Sequence, residues 1–308
     1  MQDGDKLIRG WKDEKYEHAS HVVQIIRDAF FAMAEFGESM GKGILLLDAY
    51  YFTKAALEEV KKQASQVNRE LTLVMRARLS TMAYTQPPLL QKRRGRPRKK
   101  GIPVKLKGLF DTKKEEFTQT KAWLYGKEET VLYLCKDLLW GSGYYEPLRF
   151  VLVKSGEKKS IFVCTNLSFT AEQIIRLYGY RFKIEVTFRA LKQVVKGFSY
   201  HFWSTYMPKL NRFAKKGESD PLRQVKSEKE RSCILSAFTA IEGYVMMSLI
   251  ATGMLQLLSL KYSALQGKSS FCWLRTVSGS VVTEASMSKF LRKEIFMQFH
   301  KQPYLTIL

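Results

Sequence analysis

The sequence predicts an α/β fold with a β-rich insert and a helical C-terminal part, and three observations predict it. Apolar periods read helix, strand, helix, strand from residue 20 to 78, the pattern of a sheet with parallel strands. Between 81 and 168, short β-prone runs are separated by turns containing Gly and Ser, which describes an antiparallel meander. Helical periods return after 169. The expected divisions are therefore 1–80, 81–168 and 169–308.

Each element follows from its local pattern. Ser20 can cap a first helix, in which Val22, Val23, Ile25, Ile26, Ala29, Phe30, Met33 and Phe36 recur at helical spacing. Gly37 and the Gly41-Lys-Gly43 run stop it. Ile44 to Leu47 is a continuous apolar run of the kind buried on both faces of a sheet, and it ends at Asp48. Ala55–Val67 reads as a second helix and Leu71–Arg78 as a second strand. The runs of the insert are Glu116–Tyr125, Glu129–Cys135, Leu148–Lys154 and Lys159–Thr165. Thr170 stands three residues before Gln173, a capping-box spacing that opens a helix. Lys209–Arg231 is polar and charged and reads as an exposed connection, and a last helix is expected near Glu284–Phe296.

Composition narrows the function classes. A chain of 308 residues with 45% hydrophobic content can bury a real core. Lys and Arg outnumber Asp and Glu by 51 to 29, a net charge of +22 that favours polyanionic partners, nucleic acid foremost. Cys135, Cys164, Cys233 and Cys272 are scattered, as are the four histidines, which argues against zinc or redox sites and for reduced thiols. The polar start does not read as a signal peptide. Ser232–Leu260 is nearly all apolar and long enough to span a bilayer. Glu242, Gly243, Gly253 and Gln256 interrupt it. In so basic a chain it is expected as one or two buried core helices, with no membrane partner.

The most specific pattern lies in Tyr178 to Lys192. On a continuous helix Tyr178, Arg181, Glu185 and Lys192 sit at about 0°, −60°, −20° and −40°, a single stripe. Leu177, Ile184, Phe188, Leu191 and Val195 fall on the adjoining face and are expected to pack on a core. A carboxylate beside an aromatic hydroxyl and two cations suits phosphodiester chemistry, since the acid can hold a divalent metal and the cations phosphate oxygens. The alternative is a solvated charged face.

This Tyr-x2-Arg-x3-Glu-x6-Lys spacing resembles the signature of bacterial DDE transposases of the insertion sequence 4 group and matches it at every position. Gly43-Ile-Leu-Leu-Leu-Asp48-Ala-Tyr-Tyr-Phe52 resembles the strand that carries the second catalytic Asp of such enzymes. Leu73–Arg78 resembles the following strand, and Gly197–Trp203 and Phe271–Thr276 resemble further family segments. The resemblance implies a ribonuclease H-like core interrupted by a β-strand insertion between Asp48 and Glu185. It implies that Asp48 and Glu185 belong to an Asp-Asp-Glu triad that holds Mg2+ (or Mn2+). Tyr178, Arg181 and Lys192 would contact phosphates. The implied partner is DNA, both transposon ends and target, with a homodimer on DNA and a cytoplasmic, nucleoid-associated location.

The first Asp of the triad is not evident. In such enzymes it lies on the opening strand of the core, whereas here Asp3, Asp5 and Asp13 sit among charged residues with no apolar strand around them. The expectation is a core incomplete at its N-terminus, a catalytic-domain fragment inactive alone. A non-catalytic DNA-binding remnant, or a regulator of a full-length transposase, is the open alternative. Whether the chain is itself an enzyme stays open on sequence.

A second basic element is Lys92 to Lys100, whose Arg94-Gly95-Arg96-Pro97 core, followed by Arg98, resembles an AT-hook. Gly permits close backbone approach and Pro an extended chain, so flanking Arg can lie along a narrow A·T minor groove. The alternative is a basic loop that touches phosphates without preference.

Overall fold

The computed structural model describes residues 21–37, 41–88, 98–124, 127–201, 204–209, 221–261 and 282–301. They fall into two compact units, one within Ala19–Phe182 and another that begins at Lys183.

The first unit is built on one mixed sheet. Its elements run α1 (His21–Glu35), β1 (Lys42–Leu47), α2 (Lys54–Val67), β2 (Glu70–Ala77), β3 (Met82–Tyr84), β4 (Pro103–Lys105) and α3 (Leu106–Thr112). Then follow β5 (Thr118–Leu124), β6 (Lys127–Trp140), β7 (Glu146–Ser155), β8 (Lys158–Cys164) and α4 (Ala171–Tyr180). The strand order is β1-β2-β8-β7-β6-β3-β4, with β5 paired to β6 off this path. As the helix–strand alternation predicts, β1 and β2 are parallel, Leu47 standing opposite Met75. β2 pairs antiparallel with β8, so the meander strands continue the same sheet that holds β1.

Both faces are covered, and alternate residues of β2 show which side faces what. Leu71, Leu73, Met75 and Ala77 join Ile26 and Phe30 of α1 and Leu57 of α2 in one core cluster. Val74 joins Ile174, Ile175 and Tyr178 of α4 in the other. Thr53 caps α2 through the Ala56 amide, which satisfies one of its orphan donors. Glu59 of α2 is buried and accepts from Arg27 Nε at 2.8 Å and Gln63 Nε2 at 2.8 Å. Burial alone would raise this carboxyl, but those bonds outweigh it and hold the group below its ordinary value.

Two expectations for this unit change. Leu45 and Leu47 of β1 pack on one cluster and Leu46 on the other, but Ile44, early in this edge strand, is 46% exposed, so the run is covered on both faces only toward its carboxyl end. Phe36 is exposed because α1 ends at Glu35 and the next residue leaves the helical face. The three-residue β3 and β4 and the short α3 occupy positions to which the sequence pattern assigned no element.

The second unit contains α5 (Lys183–Ala190), a π-helical turn (Leu191–Val195), α6 (Glu228–Lys261) and α7 (Glu284–Lys301). The apolar run around 232–260 is a single helix, yet it is not the buried core helix its composition suggests. Ser248, Thr252 and Ser259 are its buried residues beyond Ile234, while Met246, Met247, Met254, Leu257 and Leu260 are exposed. Small side chains face the protein because the approach is close: a Cβ on Gly197 would overlap Leu191 and Ser248. By length and hydropathy α6 could also cross a membrane.

Candidate functional site

Asp48 follows the last residue of β1, where the chain turns into a 3-10 segment, Ala49–Tyr51. Its Oδ1 accepts from the Ala49 amide at 2.7 Å and, more weakly, from the Tyr178 hydroxyl at 3.4 Å. Oδ2 has no partner among the described residues. The Tyr178 ring is 6% exposed and stacks on Phe162 of β8, with centroids 4.4 Å apart, so packing aims its hydroxyl.

The placement of α4 depends on three side-chain devices. Thr170 and Gln173 form the capping box their spacing predicts, with bonds of 2.8 and 3.2 Å. Glu172 in the first turn accepts from the Tyr133 hydroxyl of β6, and this bond, with burial, pushes the Tyr133 phenol up to about 12. Arg149 makes two 2.7 Å bonds to Asp137 across the β6–β7 pair and donates to the Phe169 carbonyl at 2.8 Å. That guanidinium ties the sheet to the segment that enters α4.

The ladder adds a residue that motif spacing does not single out. Asp48 and Arg76 follow the paired residues Leu47 and Met75, so the register sets them side by side at the carboxyl edge of β1 and β2. Arg76 shares a strand face with Val74, the face that α4 covers, and it pairs in the ladder with Phe162, on which Tyr178 stacks. Its side chain is exposed. Arg181, just past α4, stands over the Tyr178 ring with its guanidinium carbon 5.8 Å from the centroid. The first unit thus gathers Asp48, Arg76, Tyr178 and Arg181. Arg76 was legible only as part of a strand, because its neighbour across the sheet is 28 positions away in sequence.

Glu185 and Lys192 belong to the second unit, where Glu185 is helical as expected but the helix is not continuous from Tyr178 to Lys192. The helix ends at Tyr180, residues 181–182 form a turn in which the Arg181 amide donates to the Tyr178 carbonyl at 3.0 Å, and α5 starts at Lys183. The turn and the π-helical residues interrupt the uniform 100° step that a four-residue stripe requires. The predicted core face holds only in part: Leu191 is buried and Leu177 packs on the core of the first unit, but Ile184 is 52% and Phe188 45% exposed. Glu185 lies exposed in the first turn of α5. Lys192 is exposed in the π-helical turn, its Nζ 5.7 Å from the Phe198 ring centroid. The segment is held by α6, whose Gln256 donates to Thr187 Oγ1 at 3.3 Å and whose Tyr244 donates to the Lys196 carbonyl at 2.9 Å.

Among the described residues no group of three or more His, Cys, Asp or Glu side chains comes together. Asp3, Asp5 and Asp13, together with Arg94, Gly95, Arg96 and Pro97, lie outside the described residues. Arg98 is described and exposed.

The family model of the transposase DDE domain matches residues 15–203, more than half of the chain, and its span includes Asp48, Arg76, Tyr178, Arg181, Glu185 and Lys192. No curated protein matches the chain.

Proposed function

The chain belongs to the transposase DDE-domain family, and on that premise we propose that it contributes Asp48 and Glu185 to a metal-dependent centre for DNA strand cleavage and transfer. Membership gives the chain a transposase function with DNA as substrate. Assignment to the insertion sequence 4 group, on a ribonuclease H-like core, belongs to this proposal and rests on the Tyr178, Arg181, Glu185 and Lys192 spacing.

One observation carries the reading. Asp48 sits just past a strand end with one carboxylate oxygen open, a tyrosine hydroxyl on the other, and Arg76 following the residue paired with its own neighbour Leu47. Transferring a phosphoryl group asks the protein chiefly for positioning and charge stabilisation. Arg76, Arg181 and Lys192 supply cations for phosphate oxygens, and Tyr178 holds Asp48 in place. A bound divalent ion, Mg2+ or Mn2+, supplies the in-line hold on attacking and leaving oxygens. The carboxylates of Asp48 and Glu185 suit such an ion in kind, as hard oxygen ligands. In number the described residues fall short, because among them no three acidic, His or Cys side chains come together. The chain alone is therefore expected to bind DNA without cutting it, as a non-catalytic remnant or regulator of a complete transposase also would.

Two further parts of the proposal have separate supports. Arg94-Gly95-Arg96-Pro97 is read as a minor-groove element, so Arg96→Ala should abolish a preference for A·T-rich over G·C-rich duplexes. The exposed apolar side chains of α6 call for a cover, which the proposal takes to be a second copy of the chain, and the DNA substrate of the family supports a place on DNA in the cytoplasm over one in a bilayer.

The test uses purified residues 1–308 and duplexes bearing the ends of the element. Binding that weakens in Arg181→Ala and Lys192→Ala, without Mg2+-dependent nicking, is the expected result. Robust nicking that disappears in Glu185→Ala would show a complete triad. Absence of DNA binding at low salt would overturn the reading as a whole.

A further inference from the structure

Residues 71–110 contain eleven Lys and Arg and no Asp or Glu, equal to half of the net charge of +22. Part of this acid-free stretch is a well-fastened stem. The Gly101 amide donates to the Thr85 carbonyl at 2.9 Å, and the Thr85 amide donates to the Ile102 carbonyl at 3.0 Å. The Ile102 amide donates to Thr85 Oγ1 at 2.9 Å, and the Leu106 amide to the Thr81 carbonyl at 3.3 Å. Between these bonds β4 pairs with β3, from Pro103 opposite Tyr84 to Lys105 opposite Met82. Gly101 fits only as glycine, since a Cβ there would overlap Thr85 Oγ1 and the Gln86 carbonyl. Lys100 is locked over two rings, its Nζ 4.1 Å from the Tyr84 centroid and 5.1 Å from that of Tyr145.

Past this anchor, Arg98, Lys99, Lys105 and Lys107 are exposed, and no ion pair engages them among the described residues. The next acid along the chain, Asp111, is already bonded to Lys159 at 3.1 Å. β4 ends the strand order, so no further strand of the sheet covers it.

We infer that this stem is a second DNA-contacting surface, a rigid cationic edge that holds duplex phosphates through Arg98, Lys99, Lys105 and Lys107. The inference rests on the reading of the chain as a DNA-binding transposase and assigns a contact surface separate from the Asp48 edge. Lys105 lies on β4, Lys107 in the first turn of α3, and Arg98 and Lys99 lead directly into the Gly101 anchor, so these cations lose less conformational freedom on binding than those on a loose loop. From Gly101 to Lys105 the extended backbone advances about 13 Å, over which a duplex presents about eight phosphate charges. The surface carries no acid to discriminate by pairing and reads no base, so its contribution is independent of sequence.

The experiment measures the salt dependence of duplex affinity for the full chain, on A·T-rich and G·C-rich DNA. The Lys105→Gln/Lys107→Gln variant should bind both duplexes more weakly, with the slope of log affinity against log salt smaller by about two. Any A·T preference should survive in it. The control, Lys154→Gln/Lys158→Gln, removes the same charge from an exposed hairpin that also carries Glu157, and it should leave the slope near that of the parent. Thermal unfolding of each variant confirms that the folded state is compared. A parental slope in the stem variant, or an equal loss in the control, overturns the inference while leaving the transposase reading intact. Loss of binding to polyglutamate but not to DNA overturns it in favour of an acidic protein partner. Failure of the parent chain to bind DNA overturns both.

Discussion

Asp48 and Glu185 occupy contrasting settings. Asp48 ends a strand whose ladder, buried core and overlying helix fix its neighbours one by one. Glu185 lies on an eight-residue helix between a turn and a π-helical stretch, with large apolar side chains of that helix open to solvent. The first carboxylate is positioned by packing within its own unit. The second is carried by a helix that α6 holds at Thr187 and beyond its end at Lys196, while its apolar residues Ile184, Val186 and Phe188 stay exposed, so its geometry depends more on what the segment meets in use. An acid on a rigid edge can be pre-set, whereas an acid on a sparsely packed helix can be set by DNA or by an assembly.

The largest expected effect breaks or sharpens that contrast directly. Ile174 of α4 is 0% exposed, and Ile174→Ala should cost about 2–5 kcal/mol in urea unfolding. Ile184→Ala in α5 should cost about 0.5 kcal/mol or less. Equal losses would show that the apolar face of α5 is covered in solution, and the contrast would fall.

Next in size is the bracket that orients α4. Arg149→Ala strips Asp137 of a bidentate partner and frees the Phe169 carbonyl, with an expected cost of about 1–3 kcal/mol. The same variant should loosen the Tyr178–Asp48 edge, read as faster amide exchange through α4. A cost near zero would mean that the Thr170–Gln173 cap alone seats the helix.

A third expectation concerns acid. The Glu59 carboxyl is held below its unfolded value of 4.5 in the folded chain, so its stabilisation is present above that pH. It is lost as pH falls through the folded value. Unfolding midpoints of the parent chain should therefore drop more steeply below pH 4.5 than those of Glu59→Gln, and parallel curves would contradict the Arg27–Glu59 assignment. Smallest of all, Tyr178→Phe should cost about 0.5 kcal/mol or less in stability, because its 3.4 Å bond reaches an exposed carboxylate.

What the sequence disclosed depended on whether the deciding interaction was local. Asp48 was legible because an apolar run stops there. Thr170 and Gln173 were legible because a cap is a three-residue device. Arg76 was not, since its place near Asp48 comes from a parallel register with β1 that no local pattern records. The break at Arg181–Phe182 was hidden because apolar and charged periods run on through it. β3 and β4 escaped because three residues are too few for a period of two to show. α6 misled for a different reason: its composition says apolar, but the faces that pack are marked by Ser248, Thr252 and Ser259.

The central claim is that Asp48 and Glu185 serve one metal-dependent centre. A crystal structure of the chain with Mn2+ and duplex ends, read by anomalous scattering at the manganese edge, tests it most directly. The account predicts manganese bound by both carboxylates, with a second ion, where present, about 4 Å away. Manganese absent from Asp48, or carboxylates more than about 10 Å apart in the DNA complex, farther than bridging ions reach, would contradict it.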